Sequence, residues 1–276
     1  MAALVLPAGL LVFTLLVAPM LLLARISLNR FSPTELMVEA TSAENYLRAL
    51  QDPYYQQVLL TTLGVALGCT LLALALGFPA AYWLARMESR WKSMATILVL
   101  FPLLVGNVVR AAGWMALLGN EGAINATLRG LGLISAPLPL LYNAGSVVVG
   151  IVAVVLPYMI LTLSAVIEGI PRQAEEAAAN LGAKPMTVFR RVVLPLALPG
   201  VAAGSVLVFI LCMNAYATPV LLGGPQFKMM APAVYDQFVR GNNWPFGAAL
   251  AFILLAVTLV LTVVGSTFLG RKYRAA

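Results

Sequence analysis

Six long apolar runs constrain this chain more than any other feature. They fall at about 4 to 24, 58 to 85, 94 to 118, 144 to 167, 199 to 219 and 247 to 269, and none carries more than one formal charge. A helix needs about 20 apolar residues to cross the hydrocarbon core of a bilayer. Six such runs in 276 residues, with 10% charged residues against roughly 25% in soluble chains, exclude a water-soluble fold. The fold class expected is all-α: a polytopic membrane protein with six transmembrane helices. Pro79, Pro102 and Pro157 lie inside runs, and membrane helices tolerate proline where neighbouring groups satisfy the freed backbone, so each run is read as one kinked helix.

The net charge of +7 is a topology signal and not a nucleic-acid footprint, because the basic residues cluster between the runs. One set of alternate loops holds Arg86, Arg90, Lys92, Arg172, Lys184, Arg190, Arg191, Arg271, Lys272 and Arg274, ten in 46 residues. The other holds Arg25, Arg30, Arg48, Arg129, Lys228 and Arg240, six in 85. The positive-inside rule makes the denser set cytoplasmic and puts both termini in the cytosol. The first run lacks a basic n-region and a small-x-small cleavage site before Arg25, so it is read as a span and not a cleaved signal. Between Arg25 and Gln57 the chain is mixed in charge, and ENYLRAL (Glu44 to Leu50) suits a short amphipathic helix at the outer interface.

Composition also narrows the chemistry. With no histidine, imidazole metal sites and histidine bases are absent, and no H-E-x-x-H or G-x-S-x-G string occurs. Cys69 and Cys212 sit in apolar runs as small hydrophobes. No G-x-x-x-x-G-K-[ST] loop is present, so nucleotide phosphates are not cradled by that route. An ion-coupled secondary transporter would place carboxylates near the midplane, and no Asp or Glu lies well inside a run.

The most informative stretch is cytoplasmic: EGIPRQAEEAAANLGAKPMTVFRRVVLP, Glu168 to Pro195. Pro171 suits a first turn, Glu175 and Glu176 lie near the positive N-terminal end, and Gly182 after Leu181 is a stop, giving a helix of about ten residues. Ala174, Ala177, Ala178 and Leu181 make a narrow smooth stripe at i, i+3, i+4, i+7. Pro185 can start a second short helix through Met186, Phe189 and Val193, which Pro195 ends before the fifth span. From the residues alone, this stretch is either an interfacial connection or a knob that docks in a partner's groove.

Glu176-Ala177-Ala178, Gly182 three residues on, then Val192, Leu194 and Pro195 resemble the E-A-A-x-x-x-G-x9-I-x-L-P loop of membrane subunits of binding-protein-dependent ABC importers, with valine for isoleucine. The resemblance implies a coupling helix seated in an ATP-hydrolysing partner. Glu175, Glu176, Ala177, Ala178, Leu181, Gly182, Phe189, Leu194 and Pro195 would carry that contact. It also implies two ATPase subunits that hold ATP and Mg, no cofactor on this chain, a second pore subunit and an extracytoplasmic solute-binding protein. The chain would then comprise a first helix with external lead-in (1–57), an importer core (58–269) and a cytoplasmic tail (270–276). NYLRALQDPYY (Asn45 to Tyr55), TPVLLGGP (Thr218 to Pro225) and NWPFGAAL (Asn243 to Leu250) are similar to permeases of the spermidine/putrescine (PotB-like) type, which implies a PotC-like partner. Related permeases carry amino-acid derivatives or aminophosphonates.

Polar residues inside the runs are the pathway candidates, because an unpaired polar group facing lipid is costly. These are Asn107, Arg110, Tyr158, Asn214 and Tyr216, with Asp236 in an outer loop. On a straight helix Arg110 stands roughly 24 Å above the cytoplasmic end, from which it either snorkels to outer headgroups or faces a pore. Tyr216 and Trp114 are equally belt aromatics. Polyamine ammonium groups call for carboxylates or aromatic faces; the carboxylates come from the partner subunit, or the solute is not a polyamine. Gly223, Gly224 and Pro225 mark a turn at the outer mouth.

Overall fold

Proline and glycine decide where the apolar runs stay single helices and where they break. The computed structural model describes the backbone of residues 2–274 and the side chains of residues 9–267. In chain order the helices are α1 (Ala2–Ser27), α2 (Glu44–Gln51), α3 (Pro53–Arg86), α4 (Lys92–Leu104), α5 (Asn107–Leu118), α6 (Ala123–Gly130), α7 (Ala144–Glu168), α8 (Arg172–Asn180) and α9 (Pro185–Val188). A π turn, Phe189–Val193, leads into α10 (Leu194–Met213), followed by α11 (Ala217–Leu222), α12 (Met230–Val239) and α13 (Trp244–Arg274). The tail expected over 270–276 continues α13 to Arg274, and its last two residues lie outside those described. Among the described residues five helical stretches are long and apolar enough to span a bilayer, or six if α4 and the segment from Asn107 to Gly130 form one bent span.

The chain forms two compact units, Met1–Thr61 with Met229–Val257, and Thr62–Lys228 with Thr258–Ala276. In the first, the strings around the lead-in are helix starts and stops. Asp52 accepts from the Tyr54 N–H at 2.9 Å with Pro53 at the first helical position, and Asn243 accepts from the Phe246 N–H at 3.1 Å. Buried Asn45 on α2 donates to the carbonyls of Ser27 and Asn29, both at 2.8 Å, which ties the end of α1 to α2. Tyr55 meets Phe246 edge to face and accepts a hydrogen bond from Gln237 at 3.0 Å.

In the second unit α7 is the core helix, and Asn143 with Ser146 closes a capping box at its start. Val147, Ile151, Val155, Met159, Leu163 and Ile167 recur every fourth residue and are almost fully buried, one i±4 ridge along the helix. α10 lies against it where small residues permit close approach: a Cβ at Gly200 would come within 2.9 Å of the Val166 Cβ. One at Gly204 would come within 2.9 Å of the Met159 Sδ. With lipid as apolar as leucine, such close packing is what holds membrane helices together.

Three expectations about the spans are corrected. The third run is not one kinked helix: it breaks at Val105–Gly106 and turns by 96°. Pro102 removes an N–H, and Val105 adopts extended backbone before Gly106, so the ladder has no continuation there. The fifth run also breaks, at Asn214–Tyr216, leaving α11 as a separate turn and a half. Pro195 does not end the helix begun at Pro185. The i→i+5 turn, in which the Leu194 N–H reaches the Phe189 carbonyl, widens the coil and carries the chain through Pro195 into α10.

A clasped cytoplasmic elbow and a cavity at two helix breaks

The elbow forms from the residues the sequence singles out. α8 ends in a Schellman motif: the Gly182 N–H reaches the Ala179 carbonyl at 2.9 Å and the Ala183 N–H reaches the Ala178 carbonyl at 3.1 Å. Gly182 sits at φ +84°, the left-handed region glycine enters without penalty. Beyond it, Pro185 opens α9. The outward face presents Glu176, Ala177, Leu181 and Met186, with Leu181 90% exposed, while Ala174 and Ala178 are partly covered.

Glu175 behaves differently from its neighbour. It turns inward to pair with Arg86 at the end of α3, and both side chains are only 15% exposed. The Tyr82 hydroxyl donates to its other oxygen at 2.6 Å. Arg86 also donates to the Ile170 carbonyl at 3.1 Å, and its own carbonyl accepts from Arg172 at 3.0 Å. Arg172 pairs with Glu88, and Lys92 with Glu168 at 3.0 Å. Phe189, from the π turn, stands edge-on to Phe78 and Tyr82 with ring centroids 5.2 and 6.4 Å away. Tyr82, Arg86, Glu88 and Lys92 thus belong to the elbow though nothing in its own sequence names them. Leu194 and Pro195 lie half-buried in α10, behind the elbow and not on its outer face.

The second feature is a cavity of about 340 Å³. Asn107, Tyr158, Asn214 and Tyr216 line it, together with apolar residues such as Ile151 and Leu211. Four of the six pathway candidates therefore meet at one place. Asn107 begins α5 immediately after the first break, Asn214 and Tyr216 form the second, and Tyr158 follows Pro157 within α7. Irregular backbone at membrane depth is tolerated where it is buried in protein or lines a cavity. Among the described residues, no carboxylate or basic side chain lines it.

Arg110 and Asp236 do not join that lining. Because the third run breaks at Val105, the straight-helix height does not apply to the Arg110 side chain. It folds back to donate to the Val105 carbonyl at 2.8 Å, capping the break, while its Nε and Nη1 are buried without a partner among the described residues. Asp236 sits on α12 and pairs with Arg240 at 3.4 Å.

Residues 77–272 match the family described as binding-protein-dependent transport system inner membrane component, a stretch that takes in both elbow and cavity. The chain belongs to this family. This inner membrane component is 33% identical to the spermidine/putrescine transport system permease protein PotB of Escherichia coli (strain K12) over 232 residues, covering 83% of this chain and 84% of that protein. It is 31% identical to the PotB of Haemophilus influenzae over 265 residues, covering 95% and 92%. Its fold matches the crystal structure of a bacterial alginate ABC transporter in complex with alginate pentasaccharide-bound periplasmic protein, at a TM-score of 0.82 and 17% identity over 98% of this chain and 94% of that one. The protein is a permease subunit of an ABC importer of the inner membrane, as the E-A-A loop implies.

Proposed function

We propose that this permease forms half of the pathway for a polyamine such as spermidine or putrescine, delivered by an extracytoplasmic binding protein. In this reading it pairs with a PotC-like second subunit, and two copies of a separate ATPase that bind ATP and Mg engage the elbow. The cavity carries the proposal. Tyr158 lies ten residues from the end of α7 at Glu168, about 15 Å along the helix and so near the middle of a 30 Å core. Its ring and that of Tyr216 offer faces to alkylammonium groups, worth about 0.5–2 kcal/mol each, and the Asn107 and Asn214 amide oxygens accept their N–H donors. The identity to two PotB proteins over most of the chain supports the same solute class.

The test is uptake by the complete complex in liposomes. ATP-dependent accumulation of labelled spermidine or putrescine is expected, with Tyr158→Ala and Tyr216→Ala each raising the half-saturating concentration by about two- to thirty-fold. Uptake of an amino-acid derivative or aminophosphonate, with no polyamine uptake, would reassign the solute. Ion-driven uptake without any ATPase would remove the importer reading altogether.

A further inference from the structure

We infer that Tyr82, Arg86 and Glu175 form the linkage through which movement of the elbow reaches α3. This rests on the elbow being the seat of the ATPase.

The elbow has two covalent routes into the bundle. Toward α10 the chain is one uninterrupted coil from Pro185, so α10 follows the elbow directly. Toward α7 only Gly169, Ile170 and Pro171 intervene. α3 has no covalent route: Arg86 and Glu175 are 89 residues apart. Yet the last residue of α3 is held from several sides. Glu175 of α8 takes its guanidinium, the Ile170 carbonyl of the hinge accepts from the same group, and Arg172 of α8 binds its carbonyl. One turn earlier, Tyr82 donates to Glu175 and packs against Phe189 of the π turn. Both helical parts of the elbow therefore grip the same end of α3.

The burial of the pair separates it from an ordinary surface ion pair. Exposed pairs are screened and hold little, whereas removing one member of a covered pair leaves a charge without compensation. At 15% exposure on each side, with the Arg86 Nε buried and otherwise unpartnered among the described residues, the contact belongs to the second kind. Glu175 also stands in the first turn of α8, where the helix end favours a carboxylate. The outer pairs Arg172–Glu88 and Lys92–Glu168 are more exposed and act as guides, not as the grip. The surface left for the ATPase, Glu176, Ala177, Leu181 and Met186, contains none of the three gripping residues.

The experiment uses the assembled importer in liposomes and reads ATP hydrolysed per solute taken up. Glu175→Gln and Arg86→Gln are expected to raise that ratio by about tenfold while the ATPase still copurifies, and the reciprocal exchange Glu175→Arg with Arg86→Glu to bring it back most of the way. Tyr82→Phe, which keeps the ring against Phe189, is expected to raise it about two- to threefold and decides the matter if the charge variants fail to assemble. A purely structural role would lower yield and melting temperature and leave the ratio unmoved; a wild-type ratio in the folded variants overturns the inference. Failure of the wild-type ATPase to bind, or Gly182→Asp without effect on coupling, would instead overturn the reading on which it rests.

Discussion

Glu175 and Glu176 are adjacent and chemically identical, and they face different surroundings. A helix turns 100° per residue, so one carboxylate lies against Arg86 and Tyr82 while the other meets solvent. Substitution should separate them. Glu176→Lys is expected to change stability by no more than about 0.5 kcal/mol yet weaken retention of the ATPase, checked by thermal unfolding and copurification side by side. Glu175→Lys sets two cations in a covered site and should cost about 3–5 kcal/mol, visible as loss of monodisperse protein in detergent. At Gly182 a Cβ meets nothing within 4 Å, so backbone conformation alone is at stake. Gly182→Ala should cost about 1 kcal/mol, and Gly182→Asn less, in the same unfolding measurement. Sequence could list both glutamates as partners' contacts but could not tell them apart, because the residue that claims Glu175 belongs to another helix.

At the level of elements, features set by neighbouring residues are legible in the sequence, and features set by distant ones are not. The extent of α8, its Schellman stop, the start at Pro185 and the short helix at Glu44 all follow from residues within a few positions of one another. The break at Val105–Gly106 is not legible locally, because proline in an apolar run is equally compatible with a kink, and the group that caps the Val105 carbonyl once the ladder stops is the Arg110 side chain folding back from the next helix. The passage through Pro195 is hidden for a related reason: a π turn, invisible to a 3.6-residue pattern, precedes it and carries the helix on. Four of the pathway candidates come together at one cavity. Polarity within apolar runs found Asn107, Tyr158, Asn214 and Tyr216, since the cost of facing lipid applies whatever the fold. The α7–α10 seam gives a prediction of its own. A methyl at Gly200 meets the stiff, branched Val166, whereas one at Gly204 meets the tip of a flexible methionine. Gly200→Ala should therefore destabilise by about 1–3 kcal/mol and Gly204→Ala by less, with Val166→Ala suppressing the former.

For the molecule as a whole, orientation is testable with the chain's own cysteines left in place, since Cys69 and Cys212 are fully buried and give little background. Leu181→Cys, at a site 90% exposed, should react with a membrane-impermeant maleimide only in inside-out vesicles. Leu133→Cys, at a site 68% exposed in the opposite set of loops, should react only in right-side-out ones. The uncharged lining of the cavity at the two helix breaks bears on how a solute would be held there. On the proposed pathway, a compartment that meets a cation with rings and amides, and with no carboxylate among the described residues, holds it by several weak contacts and by no fixed counter-ion. Under that proposal, selection of the solute falls mainly to the binding protein that delivers it, and the membrane half passes on what it is given.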